Sequence, residues 1–290
     1  MRRLALALAL LLAGCGTTSV LEAPAPSPSS TVVAGHAPAR TFSVGVRTLS
    51  LHRGERSLTT TVYFPKNAAG PFPVVVFGHG FGGTPTAYSA LLKRWASAGF
   101  VVAAPAFPQT SWGVAEPDLL DVVNQPADVG AVLSGLLDLP SADDLRKIIN
   151  PSRAAAAGHS AGAITALGVF TDDGPERRDK RFTAGIILAG NSIGVGTAFS
   201  GTAAPLLFVH AADDPVVPFW TGLGAYDAVP WPRALLKLTG TEHTAPYLSK
   251  TDKQFAVVAA ATVDFLRWSL YSDAAARDRL IAVRGLDAHF

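Results

Sequence analysis

The sequence predicts an α/β fold in which a mostly parallel central sheet is covered by helices on both faces. Along residues 41–290, short apolar runs alternate with amphipathic stretches of helical spacing. The runs are apolar on both faces, as strands inside a parallel sheet are. No Pro/Gly-rich linker interrupts this region, so one domain is predicted for 41–290.

Each element follows from its local pattern. β-Branched, partly alternating residues predict an antiparallel pair of strands at 42–52 and 58–64. Apolar runs predict further strands at 73–77, 100–104, 154–157, 182–188, 205–209 and 234–238. Helical spacing predicts helices at 84–98, at about 125–139, from 160 onward and at 251–271, followed by a shorter helical tail.

The first residues predict an export signal. Arg2-Arg3 precede a ten-residue run of Leu and Ala, about half the length of a bilayer-spanning helix. The run ends Leu12-Ala13-Gly14-Cys15, which resembles the lipobox of bacterial lipoproteins. That resemblance implies a signal peptide at 1–14 and lipidation of Cys15. The alternative is an ordinary secretory signal with an unrelated cysteine.

Residues 15–40 are predicted to be the lipidated cysteine and a spacer, because 22–40 are rich in Pro, Ala and Ser and contain too little apolar surface for a core. The expected location is outside the cytoplasm, with the domain tethered to the outer face of the cell membrane, or to the outer membrane where the cell has one.

Composition excludes several classes of protein. The chain is 49% hydrophobic and 16% charged, which excludes a disordered protein. Lys and Arg number 24 against 22 Asp and Glu, too even a balance for a nucleic-acid binder. The single cysteine excludes an intramolecular disulfide and a Cys-built zinc site. No H-E-x-x-H, P-loop or dinucleotide fingerprint is found, so neither a metal nor a cofactor is expected. The protein is also expected to be a monomer.

A candidate nucleophile lies between a predicted strand and a predicted helix. Gly158-His159-Ser160-Ala161-Gly162 matches G-x-S-x-G, the nucleophile elbow of α/β-hydrolases. Ser160 would occupy a strained turn that exposes its hydroxyl, with small neighbours that allow close backbone approach. The alternative is a Gly-rich turn without chemistry.

A second glycine-rich segment, Gly78 to Gly83, follows an earlier predicted strand and precedes a helix. α/β-Hydrolases place an oxyanion-binding loop at this point. The predicted oxyanion donors are the backbone N–H groups of Phe81 and Ala161. His79 is interpreted as a structural partner of the loop.

A serine nucleophile needs a base that is itself held by a carboxylate, in the chain order Ser, acid, His. Asp213 and Asp214 follow the predicted strand 205–209 and compete for the role of the acid. His243 follows the next predicted strand and is the candidate base. The remaining histidines are unsuited by position or are interpreted as structural: His36, His52, His159, His210 and His289.

Taken together, the elbow G-H-S-A-G, the acid segment A-D-D-P-V-V-P and the base segment G-T-E-H-T-A-P resemble the dienelactone-hydrolase-related branch of the α/β-hydrolases. Within it they are most similar to bacterial cutinases and polyester hydrolases, chlorophyllases and plasma-type platelet-activating-factor acetylhydrolases. The resemblance covers about residues 70–270. It favours Asp214 as the acid, since D-x-x-V-P usually surrounds that residue.

The resemblance also implies a substrate class, with one departure. Polyester hydrolases carry a Trp after the strand that follows the elbow, whereas residues 188–194 contain none. This departure disfavours polyester hydrolysis, and the sequence leaves the substrate open among lipid, polymer and xenobiotic esters. Trp112, Trp220 and Phe107 are candidates for lining an acyl pocket; simple packing is the alternative.

The resulting hypothesis is a serine carboxylic-ester hydrolase that uses Ser160, His243 and Asp214 on a small-molecule or lipid-like ester. Two rivals remain: a serine peptidase or amidase on the same fold, and a non-catalytic surface lipoprotein. The shortness of the chain favours the ester hydrolase, since it leaves no room for the propeller domain that gates many such peptidases.

Overall fold

The computed structural model describes residues 36–172, 174 and 177–290. The predicted signal peptide and Cys15 lie outside these residues. Within the described residues, no helix is both long enough and apolar enough to cross a bilayer. Pro38 is buried, and its carbonyl accepts a hydrogen bond from Arg267.

One nine-stranded sheet organises the chain, in the order β1-β2-β4-β3-β5-β6-β7-β8-β9. The six strands from β4 to β8 in this order are parallel, whereas β1, β2 and β9 pair antiparallel at the edges. The strands are β1 Val44–Arg53, β2 Arg56–Pro65, β3 Phe72–Gly78, β4 Val101–Pro105, β5 Ile149–His159, β6 Phe182–Leu188, β7 Leu206–Ala211, β8 Arg233–Leu238 and β9 Leu286–His289.

Helices cover both faces of this sheet. They are α1 Ser89–Ser97, α2 Gln125–Leu137, α3 Asp144–Lys147, α4 Ala161–Gly168, α5 Phe219–Ala228, α6 Ala245–Leu248, α7 Phe255–Tyr271 and α8 Ala274–Ile281. Alternate residues of β3 pack into different cores: Val74 and Val76 face α2, α4 and α5, whereas Val75 and Phe77 face α1, α7 and α8. The prediction of a mostly parallel sheet flanked by helices is confirmed.

The elements differ from the prediction in several places, and helices α3, α5 and α6 were not predicted. The segment from Pro85 begins with a 3₁₀ turn capped by Thr84, and α1 starts only at Ser89. Strand β5 extends over eleven residues, beyond the predicted four, because Ile149 pairs with Phe72 of β3 ahead of the regular pairing that starts at Ala154. Strand β9 was not predicted, since it has only four residues, which alternate between half-buried and exposed. It pairs with β8 and packs against the core through Leu286 and Ala288.

Parallel strands end at a common edge of the sheet. The segments that follow β3, β4, β5, β6, β7 and β8 therefore converge at the carboxyl edge, where α/β proteins gather their functional groups.

Candidate active site

Ser160 occupies a sharp turn between β5 and α4. Its backbone has φ 55° and ψ −120°, a conformation costly for a residue with a side chain. Glycines permit the crossing at this point: a Cβ on Gly158 would lie 2.0 Å from the carbonyl oxygen of Gly162, and one on Gly162 would lie 2.2 Å from that of Gly78. The strained turn is the geometry that the G-x-S-x-G pattern predicts.

Two distant loops bring an imidazole and a carboxylate to this serine. His243 follows β8, and its Nε2 lies 2.9 Å from Ser160 Oγ. On the other side of the ring, Nδ1 lies 2.7 Å from Oδ2 of Asp214, which follows β7. Because a carboxylate only accepts hydrogen bonds, Nδ1 carries the proton, and Nε2 is free to accept the Ser160 hydroxyl proton.

The carboxylate of Asp214 is buried and held in place. Its Oδ1 accepts the backbone N–H groups of Val216 and Val217, each at 2.9 Å. Burial opposes ionisation, but the hydrogen bonds from His243 and these two N–H groups outweigh it and lower the pKa of Asp214. The neighbouring Asp213 is exposed. Of these two carboxylates, only that of Asp214 accepts a hydrogen bond from His243.

The glycine-rich segment after β3 lies directly against the elbow. A Cβ on Gly80 would approach Ser160 Cβ to 3.3 Å. Neither the N–H of Phe81 nor that of Ala161 donates to any acceptor among the described residues. Ala161 is the first residue of α4, where helix N–H groups are free and the dipole favours a negative charge. Two unoccupied donors therefore flank the serine.

A chain of buried hydrogen bonds connects the glycine-rich segment to the loop of the imidazole. The N–H of Gly80 donates to the hydroxyl of Tyr88 at 3.1 Å, and this hydroxyl donates to Nδ1 of His159 at 2.7 Å. Nε2 of His159 donates to the carbonyl oxygen of His243 at 2.9 Å. Burial and the nearby His243 lower the pKa of His159 to about 3, so it stays neutral.

The sequence indicates a structural role for His159 but does not reveal Tyr88. No short pattern marks this tyrosine: only the fold places its hydroxyl between Gly80 and His159, which lies 71 positions further along the chain.

The other buried histidines hold loops at the same edge. Nδ1 of His79 donates to the carbonyl of Gly80 at 2.8 Å, in agreement with its interpretation as a structural partner of that loop. Nε2 of His210 donates to the carbonyl of Val217 at 2.8 Å. Burial lowers the pKa of both rings. The described residues contain no group of three or more His, Cys, Asp and Glu side chains arranged to hold a metal ion.

The three candidate pocket aromatics differ in position. Phe107 has no exposed surface and packs against His79 with ring centroids 5.3 Å apart. The expectation that it lines an acyl pocket is therefore corrected: its apolar ring is taken up by the core beneath the glycine-rich segment. Trp112 and Trp220 are 78% and 73% exposed.

Comparison with known proteins gives one family. The Chlorophyllase family model matches residues 31–199, more than half of the chain; the matched region contains the glycine-rich segment and Ser160 but ends before Asp214 and His243. No curated protein matches the chain. The match and the mostly parallel, helix-covered sheet agree, and the chain belongs to the Chlorophyllase family, a hydrolase family of the α/β-hydrolase type.

Proposed function

We propose that this protein is a serine carboxylic-ester hydrolase in which Ser160 is the nucleophile, His243 the base and Asp214 the acid. The observation that carries the proposal is the continuous chain from Ser160 Oγ through the imidazole to the carboxylate, with distances of 2.9 and 2.7 Å. Membership of a hydrolase family supports the same class of reaction.

The first half-reaction forms an acyl-enzyme. Oγ of Ser160 attacks the ester carbonyl carbon while Nε2 of His243 takes the hydroxyl proton, and the negative charge of Asp214 stabilises the resulting imidazolium. The carbonyl oxygen becomes an oxyanion near the free N–H groups of Phe81 and Ala161, where the loss of one donor typically costs about 10²–10³ in rate. Collapse breaks the ester C–O bond, and His243 gives its proton to the departing alcohol.

The second half-reaction regenerates the enzyme. Water attacks the acyl carbon while Nε2 of His243 accepts a proton from this water. The second tetrahedral intermediate collapses, Ser160 Oγ recovers the proton, and the carboxylic acid leaves. The proposed cycle uses the ester, water and groups of this chain alone.

A fluorophosphonate probe and a set of esters test the proposal. We expect the probe to label the protein at Ser160 and Ser160→Ala to lower kcat on short p-nitrophenyl esters by about 10⁶. Ser200→Ala, at an exposed serine, is the matched control and should retain labelling and turnover. Faster turnover of matched amides would favour the peptidase reading, and an unlabelled folded protein would favour the non-catalytic one.

We further propose that the protein is exported and anchored through lipid on Cys15. The support is the lipobox-like segment, which contains the only cysteine of the chain. Labelled palmitate should be incorporated into the parent protein and lost in Cys15→Ala. Label that remains in Cys15→Ala would be attached to a group other than a thiol, since the chain has no second cysteine, and would contradict the anchor at Cys15.

A further inference from the structure

Large exposed apolar side chains concentrate at the carboxyl edge of the sheet. Of nine such side chains in the described residues, seven lie in the segments that follow β3, β4, β6 and β7. These seven, the apolar rim, are Phe81, Trp112, Leu119, Leu120, Ile193, Val216 and Trp220. Surfaces of this kind on a soluble protein usually mark a site of interaction.

The segments that carry the apolar rim touch one another in succession. The N–H of Trp112, after β4, donates to the carbonyl of Gly83, after β3, at 2.9 Å. A Cβ on Gly194, after β6, would lie 3.0 Å from Val123, in the segment after β4. The segments after β3, β4 and β6 are therefore in contact with one another.

The same succession extends to the segment after β7 and to the candidate nucleophile. A Cβ on Gly222 would lie 2.9 Å from the carbonyl oxygen of Gly190, so the segments after β6 and β7 are also in contact. Gly80, next to Phe81, borders Ser160. The segments that carry the apolar rim thus lie side by side along the edge of the sheet at which the half-buried Ser160 lies.

Charge at this edge is mostly negative, although the guanidinium of Arg177 reaches it and donates to the carbonyl of Gly194, next to Ile193, at 2.8 Å. Residues 79–88, 106–124, 189–204, 212–222 and 239–249 contain no Lys or Arg. They contain four exposed carboxylates: Glu116, Asp118, Asp213 and Glu242. An anionic surface would be repelled by these groups, whereas a zwitterionic phospholipid presents its ammonium group outward, where carboxylates and tryptophan faces bind it favourably.

We infer that the apolar rim docks the domain on a zwitterionic phospholipid surface, with Ser160 facing the lipid. The inference rests on the proposed function, because an ester hydrolase gains access to lipid-like esters in this orientation. A protein partner or a second copy seated on the rim would instead cover the approach to Ser160. Exposed tryptophans beside aliphatic side chains suit the boundary between headgroups and acyl chains.

Tryptophan fluorescence on vesicles tests the orientation directly, even for a chain that is already anchored by lipid. Trp112 and Trp220 are strongly exposed, whereas Trp95 and Trp231 are buried. The full chain carrying Ser160→Ala is added to vesicles of brominated phosphatidylcholine. We expect emission to fall by about two-fifths, since two of the five tryptophans would reach the quencher.

Matched variants assign this quenching to the apolar rim. Trp112→Phe combined with Trp220→Phe should abolish it, and Leu120→Glu combined with Ile193→Glu should reduce it several-fold. Val46 lies near the start of β1, at the opposite edge of the sheet, and is 53% exposed. Val46→Trp in the Trp112→Phe/Trp220→Phe background should give a tryptophan that brominated lipid does not quench.

Three outcomes would overturn the inference: unquenched Trp112 and Trp220 in a vesicle-bound chain, equal quenching of the tryptophan at 46, or a dimer in analytical ultracentrifugation that Leu120→Glu/Ile193→Glu dissociates. Stronger quenching on anionic than on zwitterionic vesicles would contradict the headgroup assignment. Because quenching is measured without a functional Ser160, failure of fluorophosphonate labelling would reject the proposed function and leave this result unchanged.

Discussion

Removing the hydroxyl of Tyr88 tests whether the buried hydrogen-bond chain positions the active site. Tyr88→Phe deletes one oxygen, which accepts the N–H of Gly80 and donates to Nδ1 of His159. The ring stays packed on Phe77, with centroids 4.8 Å apart. The variant therefore isolates the hydrogen bonds from the packing.

The expected magnitude follows from what the deletion leaves unpaired. The N–H of Gly80 and Nδ1 of His159 would both be buried without a partner, at about 1–3 kcal/mol each. We expect the free energy of unfolding to fall by about 2–6 kcal/mol. Since Gly80 precedes Phe81, a proposed oxyanion donor, kcat should fall by about 10–100-fold while KM changes little.

The assay combines urea unfolding with steady-state kinetics on a soluble p-nitrophenyl ester. Tyr271→Phe is the matched control: its hydroxyl is also buried and donates to the carbonyl of Gly99 at 2.6 Å, at the far end of α1 from the site. This control should lose stability and retain kcat. Unchanged stability and kcat in Tyr88→Phe, or an equal fall of kcat in Tyr271→Phe, would refute the reasoning.

Three further predictions concern the same structure. Asp214→Asn should lower kcat by about 10⁴ through loss of the imidazole tautomer, whereas Asp213→Asn should stay within about two-fold in kinetics, as expected for an exposed side chain; the reverse order would reassign the acid. Gly162→Ala should leave no soluble folded protein, because the added Cβ would lie 2.2 Å from a backbone atom. Gly224→Ala should raise the free energy of unfolding by about 0.5–1 kcal/mol, because Gly224 lies in α5 with open space around it. Circular dichroism and urea melts distinguish the two outcomes. The pKa of His159 is lowered from 6.5 to about 3, so below pH 6.5 the unfolded state binds more protons than the folded state. The free energy of unfolding should therefore decline as the pH falls, by roughly 1.4 kcal/mol per pH unit from this residue. Urea melts between pH 7.5 and 5 that show no decline would contradict the burial of His159 as a neutral ring.

Local patterns sufficed for most of the architecture. Runs such as residues 73–77 and 182–188 are apolar enough to have only one stable environment, a sheet covered on both faces. Strand β9 is not predicted because four residues carry too short a pattern and the strand with which they pair lies about fifty positions earlier in the chain.

The amino-acid pattern predicts the fold class and singles out Ser160 and His243, because an elbow motif and the order of strands can be read along the chain. The three-dimensional packing shows which of two adjacent carboxylates bonds the imidazole, that Phe107 belongs to the core, and that Tyr88 links two loops. It also decided that exposed apolar side chains from four separate segments form one rim. The physical reason is that the burial and hydrogen-bond partner of a side chain depend on which remote segments pack beside it, and that packing is a property of the folded whole.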